Sequence, residues 1–318
     1  MRTFDAKATS EALPFAQLIL ALRTMFAAAC EVPTRQTHEL IATDGSKLTS
    51  LIMPAWLPGR FYGVKTVNIA PGNAARNLPG LHSTYILYDA NTGVPLAWID
   101  GDQITSRRTA AASALAASYL ARPDARHLMV VGAGQVARLL PEAYRTMLPI
   151  ERVTVWARSR AQADAMLADL RVSGFDAHVA VNVAVSLQAA AAEADIVSCA
   201  TLATEPLVCG RWLRPGSHLD LIGSFTPAMR EADDDCFAGA ALYVDSDEAL
   251  AKSGDLLGPL ARGVIRAADI RGSLASLARG EAKGRVSVEE RTVFKSVGTA
   301  LEDLAAAILV HQQTSDPA

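Results

Sequence analysis

Two sets of residues in this chain have types and spacings that could do chemistry. The first is basic: Arg35, Lys65, Arg107 and Arg108. Lys65 interrupts the apolar, strand-like context Tyr62-Gly63-Val64-Lys65-Thr66-Val67, where a charge is costly to bury without an anionic partner. Arg108 opens the Ala-rich stretch RTAAASALAA, and its planar guanidinium can grip a carboxylate through two parallel hydrogen bonds. Each of the four would serve equally well in a structural ion pair; together they point to a small anionic ligand. The second set is the turn in HLMVVGAGQVA (127–137). Gly132 permits a tight strand-to-helix turn, Gly134 lets a pyrophosphate approach bare backbone, and Ala137 is small enough for the helix to pack on its strand. With Ala133, Gln135 and Val136 they would cradle the phosphates of a dinucleotide at a helix N-terminus, where N–H groups and the helix dipole favour negative charge. A bare GxGxxA also occurs in plain packing, so its force depends on what surrounds it.

The surroundings are those of a nucleotide-binding sheet. Apolar runs at 128–131, 153–156, 177–181, 196–200, 219–222 and 242–244 alternate with helical patterns at 136–147, 161–170 and 187–192. Strands that read as continuous apolar runs separated by helices imply a parallel sheet covered on both faces. The expected fold is α/β, a central Rossmann-type doubly wound parallel sheet entered near His127. Ahead of it, residues 63–68, 84–88 and 95–100 read as strands, with turns at Pro71-Gly72-Asn73 and Asn91-Thr92-Gly93, which makes a separate α+β domain. The last amphipathic pattern, 288–311, lies beyond the final predicted strand and is expected to pack back on the first domain. The expected division is therefore 1–118 for the first part of a substrate domain, 119–285 for the dinucleotide domain and 286–318 for a returning C-terminal helix. Such an insertion implies a ligand cleft at the carboxyl ends of the parallel strands. Asp233, Asp234 and Asp235 read as a solvated helix start, and Glu302 and Asp303 as the exposed face of the last helix.

After the second strand of such a sheet, an NAD site offers a carboxylate to the ribose hydroxyls, whereas a 2′-phosphate calls for cations. Here Trp156 is followed by Ala157, Arg158, Ser159 and Arg160. The missing acid and the two arginines favour NADPH over NADH; solvated surface arginines are the alternative.

Composition removes other classes. The chain has 318 residues, is 50% hydrophobic and carries a net charge of −3, with no cluster of Lys and Arg to bind nucleic acid. Cys30, Cys199, Cys209 and Cys236 show no CxxC or zinc-like spacing, and the six histidines lack metal-site pairing, so no metal is expected. The apolar stretch 13–30 is broken by Gln17 and Arg23 and is too short to span a membrane. The N-terminus has no basic leader segment, and a cytoplasmic location is expected.

The same pieces, taken in order, resemble the ornithine cyclodeaminase and mu-crystallin family. The matching segments are MPA (53–55), GVKTVN (63–68), TGVPLAWIDGDQITSRRTAA (92–111), GAGQVA (132–137), VWARS (155–159), SCATLATEPLV (198–208), IGSFTPAMRE (222–231) and VFKSVGTALEDLAAA (293–307). The resemblance implies a homodimer whose substrate and dimerisation domain is built from both chain ends around a central NAD(P) domain, and chemistry that passes through the imine of a small amino acid. It also implies that Arg35, Lys65 and Arg108 hold or face the substrate carboxylate, with Lys65 and Arg108 as the catalytic candidates.

Family members that cyclise ornithine carry an aspartate in a GAD-x-P-G-K segment, where this chain has Phe225 in GSFTPAM. A phenyl ring can neither take a proton nor bind an ammonium through a carboxylate. The segment is similar instead to that of bacterial reductases of Δ1-pyrroline-2-carboxylate and Δ1-piperideine-2-carboxylate, which yield L-proline and L-pipecolate, with Phe225 beside a flat ring. Thr84 is a candidate to orient the ligand through its hydroxyl. Thr201 is a candidate for the cofactor ribose, Gly223 for the cofactor, and Ser296 for the nicotinamide end, reached from the other domain. The competing readings are an NAD-dependent ornithine cyclodeaminase and a mu-crystallin-like protein that binds NADPH and a small ligand without turnover.

Overall fold

The computed structural model describes residues 1–313. The chain begins with strand β1 (Arg2–Phe4) and helices α1 (Ala6–Glu11) and α2 (Phe15–Ala27). Strands β2 (Gln36–Ile41), β3 (Lys47–Leu57), β4 (Phe61–Ile69), β5 (Leu81–Asp89) and β6 (Pro95–Asp100) follow, then helix α3 (Gly101–Leu120). Along β4 and β5 alternate side chains are buried, the two-residue period of a pleated strand with one face against a core. The six strands form one sheet in the order β1-β6-β5-β4-β3-β2, antiparallel except that β1 runs parallel to β6. Register places Met53, Lys65, Tyr85 and Ile99 side by side on the buried face. Thr66, Thr84 and Asp100 are neighbours on the opposite face.

The elements that follow are β7 (His127–Val131), α4 (Gln135–Met147), β8 (Arg152–Trp156), α5 (Arg160–Val172), β9 (Ala180–Val183), α6 (Leu187–Glu193), β10 (Ile196–Cys199), β11 (His218–Leu221) and β12 (Ala241–Val244). Then come α7 (Glu248–Lys252), α8 (Gly254–Ala261), β13 (Ile270–Ser273), α9 (Leu274–Ala278), β14 (Thr292–Lys295) and α10 (Ala300–Gln313). The eight strands β7 to β14 make a wholly parallel sheet in the order β13-β12-β14-β11-β10-β7-β8-β9. β7, β10, β11, β12 and β14 are buried along their whole length, which is why the first four read as mostly apolar runs, while β14 carries Lys295 among its four residues. The chain winds from β7 through β8 to β9 on one side and restarts at β10 on the other. The β7/β10 junction is therefore the switch point at which a doubly wound sheet receives its ligand.

Two units result: Met1–Arg108 with the described residues from Thr299 on, and Thr109–Gly298. The divisions lie inside α3 and just before α10, not at the expected 118 and 286. The helix expected over 288–311 is corrected too. Residues 292–295 form β14, wedged between β11 and β12, and helix starts only after Gly298, whose φ of +76° interrupts regular backbone. The last residues of the expected 286–318 segment, 314–318, lie outside the described residues. α10 packs against α2 and the buried face of β3 to β6. The strand expected at 177–181 is displaced to β9, because 175–177 form a 3₁₀ turn.

Candidate functional site

In the first unit the buried face of the sheet carries a charged cluster. Lys65 on β4 is 1% exposed, and its Nζ lies 2.7 Å from Asp303 Oδ2 and donates to Thr105 Oγ1 at 3.2 Å. Arg108 follows Thr105 by one turn of α3, so both present the same helix face. Its Nε donates to Asp303 Oδ1 at 3.0 Å and its Nη1 to Glu302 Oε2 at 2.5 Å. Glu302 and Asp303 occupy the first turn of α10, where the helix dipole favours acids. Both are fully buried, which corrects their expected place on an exposed face. Their apolar neighbours along α10 cover the sheet, and the two acids meet cations supplied from β4 and α3.

Burial lowers the Lys65 ammonium to about 8; Asp303 opposes that shift, while Arg108 and Arg35 reinforce it. Burial pushes the Asp303 carboxyl up, but the adjoining Lys65 and Arg108 charges outweigh it and leave the group below its ordinary value. Arg35, half-buried ahead of β2, thus lies close enough to act on Lys65. Three of the expected substrate residues, Arg35, Lys65 and Arg108, are therefore neighbours. Thr84 is not among them, because it lies on the other face of the sheet. Arg107 also points elsewhere: its Nε donates to the Leu13 carbonyl at 2.9 Å and its guanidinium stacks 4.6 Å over Phe15, tying α3 to the start of α2.

In the second unit the Gly132 turn has the form that its spacing implies. Gly132 has a φ of +124°, and a Cβ there would lie 2.5 Å from the Ala200 carbonyl oxygen, so only glycine fits. Gly134 caps α4 with no side chain closing the helix start, and a Cβ on it would meet nothing within 4 Å. Ala137 is fully buried against the sheet. Open space above a bare helix N-terminus, flanked by Ala133, Gln135 and Val136, fits a pyrophosphate. At the end of β8 Arg158 is exposed and makes no ion pair among the described residues. Arg160 is tied to Asp164 at 2.9 Å, and Ser159 caps α5.

The other expected residues lie in the loops after β10, β11 and β14. Both functions of the Thr201 hydroxyl are used within the protein: it donates to Glu231 Oε1 at 2.8 Å and accepts from Ala203 N–H at 3.3 Å. Gly223 is demanded by packing, since a Cβ there would sit 1.9 Å from the Thr201 carbonyl oxygen. Ser296 directly follows β14 in the same unit as Gly132, correcting its expected origin in the other domain. Phe225, in the loop after β11, is 41% exposed. Sequence reasoning missed the ionic cluster beneath these loops, where Lys295 and Asp255 pair at 3.5 Å and Glu231 is fully buried. Lys295 carried the same signal as Lys65, a charge inside an apolar strand. Among the described residues no group of His, Cys, Asp and Glu is placed to hold a metal ion, and no helix is long and apolar enough to cross a membrane.

The profile of the ornithine cyclodeaminase/mu-crystallin family matches residues 7–317. The chain belongs to that family. It is 48% identical over 262 residues to the Δ(1)-pyrroline-2-carboxylate reductase of Paracoccus denitrificans, covering 81% of each chain. Its structure matches that of Thermococcus litoralis Δ(1)-pyrroline-2-carboxylate reductase in complex with NADH and L-proline, with a TM-score of 0.91, 31% identity and coverage of 99% of this chain and 98% of the other. An archaeal alanine dehydrogenase dimer with bound NAD aligns with a TM-score of 0.89, 27% identity and coverage of 100% and 98%. For this member of the ornithine cyclodeaminase/mu-crystallin family, the Rossmann-type sheet is thus part of a known architecture.

Proposed function

We propose that the chain reduces a small cyclic imine bearing a carboxylate, of the Δ1-pyrroline-2-carboxylate or Δ1-piperideine-2-carboxylate type, with NADPH preferred as reductant. The observation that carries this reading is the convergence of three cations, Lys65, Arg108 and Arg35, on one buried cluster. Lys65 and Arg108 are held by Asp303 and Glu302 on the buried face of the sheet, and Arg35 lies close enough to act on Lys65, an arrangement suited to a small carboxylate. The Paracoccus and Thermococcus relatives, named for a reaction on such an imino acid, support the same substrate class.

When bound, the reduced nicotinamide supplies a hydride to the imine carbon. The chain's own residues do the rest. Gly132, Gly134 and the start of α4 would hold the pyrophosphate, and Arg158 would meet the 2′-phosphate. Arg108 and Arg35 orient the carboxylate. Lys65 gives hydrogen bonds to Asp303 and Thr105 and has a third N–H to offer the substrate. With its ammonium at about 8, it is charged near neutrality yet acidic enough to pass a proton to the ring nitrogen, so that C=N becomes CH–NH. Phe225, where cyclising relatives carry an acid, offers no group for ornithine chemistry. A homodimer is proposed with this activity, supported by the dimeric archaeal relative.

The test is oxidation of NADPH and NADH by each of the two cyclic imines, with ornithine plus NAD+ in parallel. Turnover of an imine with NADPH preferred is the expected result. Release of ammonia and proline from ornithine, or NADPH binding with no turnover of either imine, overturns the reading.

A further inference from the structure

The loops that leave β10 and β11 are joined by one buried carboxylate. Glu231 Oε1 accepts the Thr201 N–H at 2.7 Å and the Thr201 hydroxyl at 2.8 Å, while Oε2 accepts the Gly223 N–H at 2.7 Å. The carboxylate is itself locked from behind. Asp255 Oδ1 accepts the Glu231 and Ala232 N–H groups at 2.8 and 3.1 Å, and the Glu231 carbonyl accepts from Leu207 and Val208. Lys295 supplies compensating charge beneath it, paired to Asp255 at 3.5 Å. The loops meet with no space to spare, as the forbidden Cβ at Gly223 shows. The same brace reaches the phosphate turn, for a Cβ on Gly132 would touch Ala200 and Thr201.

A dinucleotide lies across the switch point of a doubly wound sheet with one nucleotide half on either side. The pyrophosphate turn follows β7 and the arginine-bearing end of β8 takes the adenosine half, so the nicotinamide half falls on the side of β10 and β11. We infer that Glu231 is a positioning residue for the nicotinamide end of the cofactor, holding the loops after β10 and β11 at the separation that end requires. No role in touching the cofactor is needed. A glutamine cannot replace it, because both oxygens accept from N–H donors and an amide offers only one acceptor.

The inference rests on the reading that a nicotinamide dinucleotide binds at the Gly132 turn. The experiment compares NADH, followed by its fluorescence, with ADP, followed by calorimetry, on the full chain and on Glu231→Gln. The expected result is NADH binding weaker by roughly tenfold or more with ADP binding changed by less than about twofold. A purely structural role weakens both ligands alike, and that result, or no loss of either, overturns the inference. If Glu231→Gln does not fold, Thr201→Val removes one of the three bonds, and the same selective loss of NADH over ADP is required. Failure of the unaltered protein to bind NADH or NADPH defeats the cofactor reading itself, whereas equal losses in the variant defeat only the role of Glu231.

Discussion

Replacing Asp303 by alanine is the most direct probe of the cluster under α10. Its carboxylate is the common partner of Lys65, at 2.7 Å, and of Arg108, at 3.0 Å, and none of the three side chains is more than 8% exposed. Removing one member of a buried ion pair costs about 3–5 kcal/mol, because the remaining charge is left desolvated and unpaired. Lys65 has an escape, since it can fold without its proton. Giving up its proton at pH 7, against the value of about 8 it has in the folded protein, accounts for about 1.4 kcal/mol of this loss, and Arg108, which also loses Asp303, bears the remainder. A loss of that size lowers Tm by on the order of 10 °C. The control is the double variant Lys65→Met/Asp303→Ala, which removes the charge with its partner and is compared with both single variants. Because the penalty comes from the orphaned charge, the double variant is expected to be more stable than Asp303→Ala, with a coupling of about 2 kcal/mol or more. Thermal unfolding of the four proteins at pH 7, in one buffer, measures all these quantities. A Tm for Asp303→Ala within about 2 °C of the unaltered protein, or strictly additive effects, refutes the reasoning.

Further outcomes are expected. Burial lowers Lys65 from 10.5 to about 8, so the ammonium is lost as pH rises through that value, and kcat/KM for a carboxylate-bearing imine should fall above pH 8. Stability responds in the opposite sense. Between about 8 and 10.5 the unfolded chain binds more protons than the folded one, so this group's contribution to stability rises with pH. A pH–rate profile in which Lys65→Arg keeps the same alkaline limb would assign that limb elsewhere. At the adenosine end, Arg158→Ala should weaken NADPH by roughly tenfold and leave NADH unchanged, the worth of one charge-assisted hydrogen bond. Arg160→Ala, whose guanidinium is already paired with Asp164, should alter neither; equal loss of NADH and NADPH in Arg158→Ala counts against a 2′-phosphate contact.

Local signals settled a good part of this protein. The strand-to-helix turn at Gly132 needs only neighbouring residues, and the buried parallel strands announce themselves as apolar runs because both faces of the sheet are covered. Lys65 stood out for a related reason, a single charge where the pattern allowed none. What the sequence could not show is where charges separated by hundreds of residues meet. Glu302 and Asp303 look like the polar side of an amphipathic helix. They are buried only because α10 lies on the face of the sheet that carries Lys65 and beside the α3 arginine. β14 was hidden likewise, for four residues carry too little periodicity to tell strand from helix, and only its slot between β11 and β12 defines it. Strand register, which decides the face each side chain takes, removed Thr84 from the cluster. The sequence by itself determined the chemistry available to this chain, cations for a carboxylate and a glycine turn for phosphates. Only the tertiary structure decided which of those groups meet, since the burial that turns a surface charge into a paired one is created by elements far away in the chain.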